Sequence, residues 1–166
     1  MYKHPRDASG FTLIELIIVL AIIGVVSVIT LVSLSSARGT RDLDRSSREI
    51  VAALREAQNY ALTGRSTSIG EDNCAFSVQV VGGSTGYSLS HLYRSGGSCS
   101  ATGPLANYSL TTGVTFSASA TVSFSLPRGE VTSGTTSIGL TKGGATYFVC
   151  VYPSGRILEN GPSACP

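Results

Sequence analysis

The sequence predicts an α+β protein in which a long N-terminal α-helix packs against an antiparallel β-sheet domain. An apolar run, residues 13–34, is followed by an amphipathic helical pattern over residues 40–63. Beyond Gly64, short runs of β-branched and aromatic residues alternate with glycine turns, which is typical of strands joined by hairpins. At 166 residues, the chain has room for one globular domain in addition to such a helix. We therefore expect a lollipop-shaped molecule with a helical stick.

Residues 1–10 have the features of a short charged leader. Lys3, His4 and Arg6 precede the small residue Gly10, and the apolar run follows directly. A secretory signal peptide has the opposite order, because its cleavage site comes after its apolar part. The apolar run is long enough to cross a bilayer, which takes roughly 20 residues in a helix. We expect a leader over residues 1–10 and a transmembrane helix over residues 11–34.

The junction G-F-T-L-I-E-L at residues 10–16 resembles that of the type IV prepilins and type II secretion pseudopilins. The resemblance implies that a prepilin peptidase cuts after Gly10 and that the new N-terminal residue, Phe11, is N-methylated. It also implies a single-pass protein of the cytoplasmic (inner) membrane with its head outside. An assembly platform would then move the subunit into an extracellular or periplasmic filament, in which residues 11–34 polymerise with other pilin or pseudopilin subunits.

Glu15 is the carboxylate of the apolar run. A charged side chain in the centre of a membrane helix costs roughly 2.5–3.5 kcal/mol, so we expect it to have a partner. The family resemblance implies that Glu15 pairs with the free amine of Phe11 on a neighbouring subunit during assembly. The alternative is a carboxylate close enough to the membrane surface to stay hydrated.

Residues 35–64 predict the second, amphipathic half of the helix. Apolar or small residues recur there at steps of three and four, which places them on one face. Gly64 predicts the end of the helix, because glycine readily adopts the left-handed conformation found at many helix ends. The predicted buried face consists of Leu43, Ser47, Ile50, Leu54, Ala57 and Ala61.

Residues 65–166 predict a β-rich globular head. Glycine-rich hairpin turns are expected at residues 82–85 and 142–144, and exposed Ser-, Thr- and Gly-rich loops at residues 96–103 and 129–137. Because short turns link consecutive strands, we expect an antiparallel sheet that covers the apolar face of the helix. The predicted strands are residues 75–81, 87–94, 114–119, 121–126, 135–141, 145–152 and 156–158.

The four cysteines all lie in the predicted head, and none is part of a Cys-x-x-Cys motif, which would indicate zinc binding or thiol exchange. Disulfides fit a domain outside the membrane better, because that compartment is oxidising. Four cysteines permit three pairings, and closeness in sequence favours Cys74 with Cys99 and Cys150 with Cys165.

The run F-V-C-V-Y-P-S-G-R-I-L at residues 148–158 resembles the final strands of the FimT/GspH branch of minor pilins and pseudopilins. Some DNA-uptake minor pilins of that branch carry Gly-Arg-x-Arg, in which two arginines can meet phosphates. This chain has Arg156 but Leu158 in place of the second arginine, and Glu159 follows. Arg156 is a candidate DNA contact; the alternative is a turn residue, or a partner of Glu159 or of the chain terminus.

The sequence has no catalytic, cofactor or metal motif: it lacks a Walker loop, a dinucleotide-binding glycine fingerprint, a nucleophile elbow and clustered metal ligands. His91 is isolated in a predicted strand, and a net charge of +2 gives no electrostatic argument for nucleic acid. We therefore expect a structural subunit of a type IV pilus or a type II secretion pseudopilus, without enzyme activity, cofactor or metal.

The alternative function is a DNA-binding minor pilin that takes part in DNA uptake. The sequence does not separate a pilus from a secretion pseudopilus, or a major from a minor subunit. The FimT/GspH-like end and the absence of proline from residues 11–34 favour a minor subunit.

Overall fold

The computed structural model describes residues 12–67 and 72–165, apart from the side chains of residues 28–37 and 160. The predicted leader, its cleavage junction at Gly10 and the predicted N-methylated Phe11 lie outside the described residues. The chain divides into two compact units, Met1–Arg38 and Gly39–Pro166. The fold is α+β, as predicted, with a long helix and antiparallel sheets in the described part of the chain.

Helix α1 spans Leu13–Thr63, close to the predicted residues 11–63. Its end has the geometry that the sequence predicts, because Gly64 has a φ of 63°. The N–H of Arg65 donates to the carbonyl of Tyr60 at 3.1 Å. A left-handed glycine followed by this backward hydrogen bond is the Schellman motif, which satisfies a carbonyl that the helix leaves unpaired. The predicted stop at Gly64 is confirmed.

The strands of the described residues are antiparallel, as predicted, and they divide between two sheets. The first sheet has the order β3-β2-β1-β5-β6, and the second has the order β4-β7-β8-β9. The strand patterns predict which runs are extended but not their partners: β5 pairs with β1, whereas β4 pairs with β7. The strands are β1 (Asn73–Val80), β2 (Gly86–Ser95), β3 (Ser98–Ser109), β4 (Thr115–Phe116), β5 (Ala120–Ser125), β6 (Glu130–Val131), β7 (Thr136–Lys142), β8 (Ala145–Val151) and β9 (Ile157–Gly161).

Strand β3 corrects the expected loop at residues 96–103. It is 12 residues long and pairs with β2, from Gly86 opposite Ser109 to Ser95 opposite Ser98. Its Ser, Thr and Gly content has low strand propensity, and as an edge strand it has no fully buried face to impose an alternating pattern. The second expected loop, residues 129–137, is exposed only in part, because it contains β6 and the buried Val131.

The core of the head lies between the second half of α1 and both sheets. All six residues of the predicted helix face are buried, with Leu43, Ile50 and Leu54 at 0% exposure. Alternate residues of the strands complete this cluster, because successive side chains of a strand point to opposite faces of its sheet. The strand residues at 0–1% exposure in the cluster are Phe76, Val78, Val80, Leu89, Phe116, Val122, Phe124, Ile138, Leu140, Val149 and Val151.

Candidate assembly site

The first turn of α1 holds Glu15, the predicted assembly residue. The hydroxyl of Thr12 accepts a hydrogen bond from the N–H of Glu15 at 3.3 Å, and the Thr12 carbonyl accepts one from the N–H of Leu16 at 3.2 Å. Thr12 is therefore the N-cap, and Glu15 follows it at the spacing of a capping box. Sequence reasoning missed Thr12, although T-x-x-E before an apolar run signals this cap.

The position of Glu15 suits a negative charge. Its side chain is exposed and lies in the first helical turn, where the partial positive charge of the helix N-terminus stabilises a carboxylate. An exposed carboxylate at this end of the helix is available to a cation from another molecule. The predicted cation, the amine of Phe11, lies outside the described residues.

The helical turns on both sides of Glu15, from Leu13 to Val26, expose apolar side chains around the whole helix. The exposure of these side chains ranges from 45% at Val19 to 76% at Leu13. A helix that is apolar on every side is normally buried by lipid or by other protein. The exposed set is Leu13, Ile14, Leu16, Ile17, Ile18, Val19, Leu20, Ile22, Ile23, Val25 and Val26.

The predicted transmembrane helix, residues 11–34, extends beyond this set, over Phe11 and over side chains that are not described. Among the residues that the structure does describe, no helix combines the length and the apolar character needed to cross a membrane.

The helical part of the head has a different surface. Four arginines, Arg41, Arg45, Arg48 and Arg55, are exposed on the side of α1 opposite to the core. Two of them form ion pairs one helical turn away: Arg45 Nε lies 3.0 Å from Glu49, and Arg48 lies 3.1 Å from Asp44. Such exposed pairs contribute about 0.3–0.5 kcal/mol each, so they hold these side chains only weakly.

Two other acids of the helix bind the head itself. The Nζ of Lys142 lies 2.7 Å from Asp42 Oδ2 and also donates to the carbonyl of Thr112 at 2.9 Å. Glu56 accepts hydrogen bonds from the hydroxyls of Tyr60 and Tyr108, the second at 3.3 Å. Asp42 and Glu56 therefore fix the helix to the sheets with charge-assisted hydrogen bonds.

The tyrosines around Glu56 have raised pKa values. The hydrogen bond to Glu56 is the main reason that the pKa of Tyr60 is raised. Burial, followed by the charge of Glu56, raises the pKa of Tyr108. Tyr87 stacks on Tyr108 with ring centroids 5.2 Å apart, and its burial raises its pKa to about 12. All three shifts favour the neutral phenol, because a phenolate beside Glu56 or in the core is unfavourable.

Arg156, the candidate DNA contact, lies in a tight turn. The N–H of Gly155 donates to the carbonyl of Tyr152, and the N–H of Tyr152 donates to the carbonyl of Arg156, both at 2.9 Å. The Arg156 guanidinium is exposed and lies 5.4 Å from the centroid of the Tyr152 ring. This arrangement agrees with the alternative prediction, that Arg156 is a turn residue.

The structure places a second arginine next to this turn. The Gln58 side-chain amide donates to the carbonyl of Gly155 at 2.9 Å and to that of Gly129 at 3.5 Å. The turn that carries the exposed Arg128 is therefore held beside the turn that carries Arg156. Sequence reasoning missed Arg128, because 28 positions separate it from Arg156 and no local motif joins them.

Cys74 is joined to Cys99 and Cys150 to Cys165, which is the pairing that sequence proximity favours. The first disulfide links β1 to the start of β3, with 6.2 Å between the Cα atoms. The second links β8 to the residues after β9, with 5.6 Å between the Cα atoms. The first therefore fastens the edge strand β3 to β1, across the intervening β2, and the second fastens the chain after the edge strand β9 to β8.

His91 is a packed residue of β2. It is 5% exposed and its ring lies 5.6 Å from that of Tyr93. Gly103 on β3 leaves the space that the ring occupies, since a Cβ there would overlap it. In residues 12–67 and 72–165, no group of three or more His, Cys, Asp or Glu side chains could hold a metal ion.

Comparisons with known proteins cover both parts of the chain. Residues 5–31 match the family model described as the prokaryotic N-terminal methylation motif. The type II secretion system protein H of Aeromonas hydrophila is 41% identical over 54 residues, which are 32% of this chain and 30% of that protein. The chain therefore matches less than a third of the length of this curated relative.

Crystal structures of the type IV minor pilin FimU from Pseudomonas aeruginosa have a similar fold. One has a TM-score of 0.54 at 20% identity, over 75% of this chain and 93% of FimU. A second crystal form has a TM-score of 0.52 at 20% identity, over 74% of this chain and 97% of FimU. At this identity, the likeness establishes the fold.

The chain thus carries the N-terminal methylation motif at residues 5–31, and its fold is similar to that of a type IV minor pilin. Over 54 residues it is also similar in sequence to a type II secretion system protein H. The resemblance predicted from the junction at Gly10 and from the C-terminal run is confirmed.

Proposed function

We propose that the chain is a subunit of a type IV pilus or a type II secretion pseudopilus. Residues 1–10 form a leader that a prepilin peptidase removes after Gly10, and Phe11 becomes N-methylated. Residues 11–34 anchor the subunit in the cytoplasmic membrane and then polymerise, residues 35–64 continue the helix, and residues 65–166 form the head. The observation that best supports this proposal is the run of apolar side chains between Leu13 and Val26 that are exposed on all sides of α1.

Filament formation accounts for both features of the first helical turns. Neighbouring subunits would cover the apolar side chains that the isolated chain exposes. Glu15, at the N-terminal end of this surface, would pair with the amine of a neighbour's Phe11. The two charges would then neutralise each other only at the correct stagger between subunits, which would stabilise that arrangement. The partners are therefore other pilin or pseudopilin subunits, the peptidase, the membrane and the assembly platform.

Replacement of Glu15 tests the assembly role. We expect Glu15→Ala to insert into the membrane normally but to be depleted from purified filaments, because the charge pair is lost. Ser27→Ala, in the same apolar helix, is the matched control and should be incorporated as well as the wild type. Quantitative mass spectrometry of membranes and filaments measures both, and normal incorporation of Glu15→Ala would contradict the role of Glu15.

Maturation is tested at the junction itself. A small residue lets a peptidase approach the backbone closely, so Gly10→Val should leave the leader attached. Mass spectrometry of the N-terminal peptide should find methylated Phe11 in the wild type and Met1 in the variant. Wild-type protein that still begins at Met1 in cells with an active prepilin peptidase would refute the proposed processing.

DNA binding is the second candidate function, and the contact between the Arg128 and Arg156 turns supports it. Two exposed arginines on adjacent turns can each meet a phosphate, and each such contact increases the salt dependence of binding. We expect any DNA binding by the full chain to weaken with salt, and to weaken in both Arg156→Gln and Arg128→Gln. Arg94→Gln is the control and should bind DNA as the wild type does. An equal loss of DNA binding in all three variants, or the absence of a salt-dependent gel shift, would exclude a specific site.

Neighbouring genes distinguish the two kinds of filament. A retraction motor encoded beside the assembly motor would indicate a pilus, whereas an outer-membrane secretin with secretion partners would indicate a pseudopilus. Counting subunits in purified filaments decides between a major and a minor component, and we expect a minor one.

A further inference from the structure

The exposed side of α1 in the head carries a regular row of arginines, which we call the arginine face. Its positions follow steps of four and three, which is the spacing of one face of a helix. All of its side chains are exposed, and Ala52 leaves a shallow recess of about 450 Å³ between the charged neighbours. The arginine face consists of Arg41, Arg45, Arg48, Ala52, Arg55 and Asn59.

The acids of the helix do not neutralise this face. Asp42 binds Lys142, and Glu56 accepts hydrogen bonds from Tyr60 and Tyr108. These two carboxylates therefore interact with the head and do not pair with the arginines. Among the described residues, neither Arg41 nor Arg55 has an ion-pair partner. The face therefore has a surplus of positive charge at both of its ends.

The two remaining pairs leave the other arginines available. Arg45 is 72% exposed and Arg48 is 69% exposed, although each contacts an acid. Because exposed i,i+4 pairs contribute only about 0.3–0.5 kcal/mol, an external carboxylate can replace either acid at little cost. Arginine is also enriched in protein interfaces, where its planar group binds carboxylates through two hydrogen bonds.

We propose that the arginine face docks against an acidic face of a different protein subunit in the assembled filament, which presupposes the filament role proposed above. The partner is a protein surface because Asp44 and Glu49 lie among the arginines. A protein can place cations against these two acids and carboxylates against the arginines, whereas a uniformly negative phosphate surface would be repelled by them.

A second copy of this chain does not supply the complement. Arg41 and Arg55 are 14 residues apart, which corresponds to about 21 Å of helix. In the described head, Glu130 and Glu159 are exposed acids without an ion pair, but they lie on β6 and β9, in different sheets, and do not form a row of this length. The arginine face of a second copy offers only Asp44 and Glu49 beside its own four arginines. Two such faces in contact would hold eight arginines and four acids, and the surplus of four positive charges would repel. The partner is therefore another component of the filament.

Conservative replacement makes the contact detectable. Arg55→Lys and Arg41→Lys keep the positive charge and add a primary amine, which a zero-length carbodiimide couples only to a carboxylate in direct contact. The variants are expressed as full chains in cells that assemble the filament, and cross-linked peptides are identified by mass spectrometry. Arg94→Lys is the internal control, because Arg94 lies 3.3 Å from Asp72 of its own chain.

We expect the amines introduced by Arg55→Lys and Arg41→Lys to couple to acidic residues of a different subunit, while the amine introduced by Arg94→Lys couples to Asp72. We also expect R41E/R55E to reduce co-purification of that subunit by at least about tenfold, equivalent to about 1.4 kcal/mol. If the chain is absent from filaments, the proposed function fails first. If the chain is present in filaments and the Arg94→Lys control reacts, two cross-linking results overturn the inference: coupling of the new amines to a second copy of this chain, and no coupling at all. The inference is also overturned if R41E/R55E weakens only the binding of the chain to phosphatidylglycerol vesicles or to a DNA duplex.

Discussion

Replacement of Gly155 by alanine should destabilise the head more than the same change at a comparable glycine. Gly155 has a φ of 79°, and a Cβ there would lie 2.6 Å from the carbonyl oxygen of Gly129. Gly143 has a φ of 58°, but its Cβ would have no neighbour within 4 Å. The pair of variants therefore separates the cost of a left-handed backbone from the cost of a steric overlap.

The two costs have different magnitudes. A left-handed conformation costs an alanine about 1–2 kcal/mol, and this applies to both variants. Extra atoms forced into a packed site cost about 1–3 kcal/mol more, which applies to Gly155→Ala because the opposing atom belongs to the backbone. We expect losses in the free energy of unfolding of about 1–2 kcal/mol for Gly143→Ala and about 2–5 kcal/mol for Gly155→Ala.

Urea unfolding of the full chain in mild detergent, with disulfides intact, measures the difference. Near-ultraviolet circular dichroism follows the head, because its aromatic residues are packed in the core. Equal losses for the two variants would refute the reasoning, since they would mean that the contact between the Gly129 and Gly155 turns does not constrain Gly155. A larger loss for Gly155→Ala should be accompanied by weaker protection of the Tyr152 amide, which donates to the carbonyl of Arg156, from hydrogen exchange.

Two further predictions concern the core and its ionisation. Leu54→Ala should lower the free energy of unfolding by about 2–5 kcal/mol, because Leu54 of α1 is fully buried in the core. The exposed control Asn59→Ala should change the free energy of unfolding by less than about 0.5 kcal/mol. Urea unfolding measures both variants. Because the pKa of Tyr87 is raised from 10.0 to about 12, the folded chain keeps a proton that the unfolded chain loses. Stability should therefore fall as the pH rises from about 10 to about 12, and less steeply in Tyr87→Phe; the same slope in both proteins, measured as unfolding midpoint against pH, would contradict this.

The sequence was sufficient to predict the helix, because the signals that predict a helix are local. The apolar run, the three-and-four spacing and Gly64 each report on residues within a few turns, and they predict the observed end at Thr63 and the buried face. The same applies to most strands, whose alternation records one buried face. The exceptions were β3, which lies at an edge and has no buried face, and the two-residue β6, which is too short to show an alternating pattern.

The arrangement of the strands could not be predicted in the same way. Two sheets form because β5 pairs with β1 rather than continuing from β4, and this choice depends on contacts between residues far apart in sequence. The pairing of the Arg128 and Arg156 turns has the same cause, since Gln58 on the helix holds both. Sites assembled from distant segments leave no spacing in the sequence that a motif could capture.

The second half of α1 has two faces with different roles, one in the core and one at the surface. Leu54 and Arg55 are adjacent, yet Leu54 is fully buried in the core, whereas Arg55, rotated by about 100° around the helix, is exposed. The acids follow the same division, because Asp42 and Glu56 bind the head while Asp44 and Glu49 stay among the arginines. A change on the outer face therefore leaves the packing of the head untouched. Selection for a partner can act on the arginine face without a cost in the stability of the fold, which is the condition under which related subunits could acquire different neighbours in one filament.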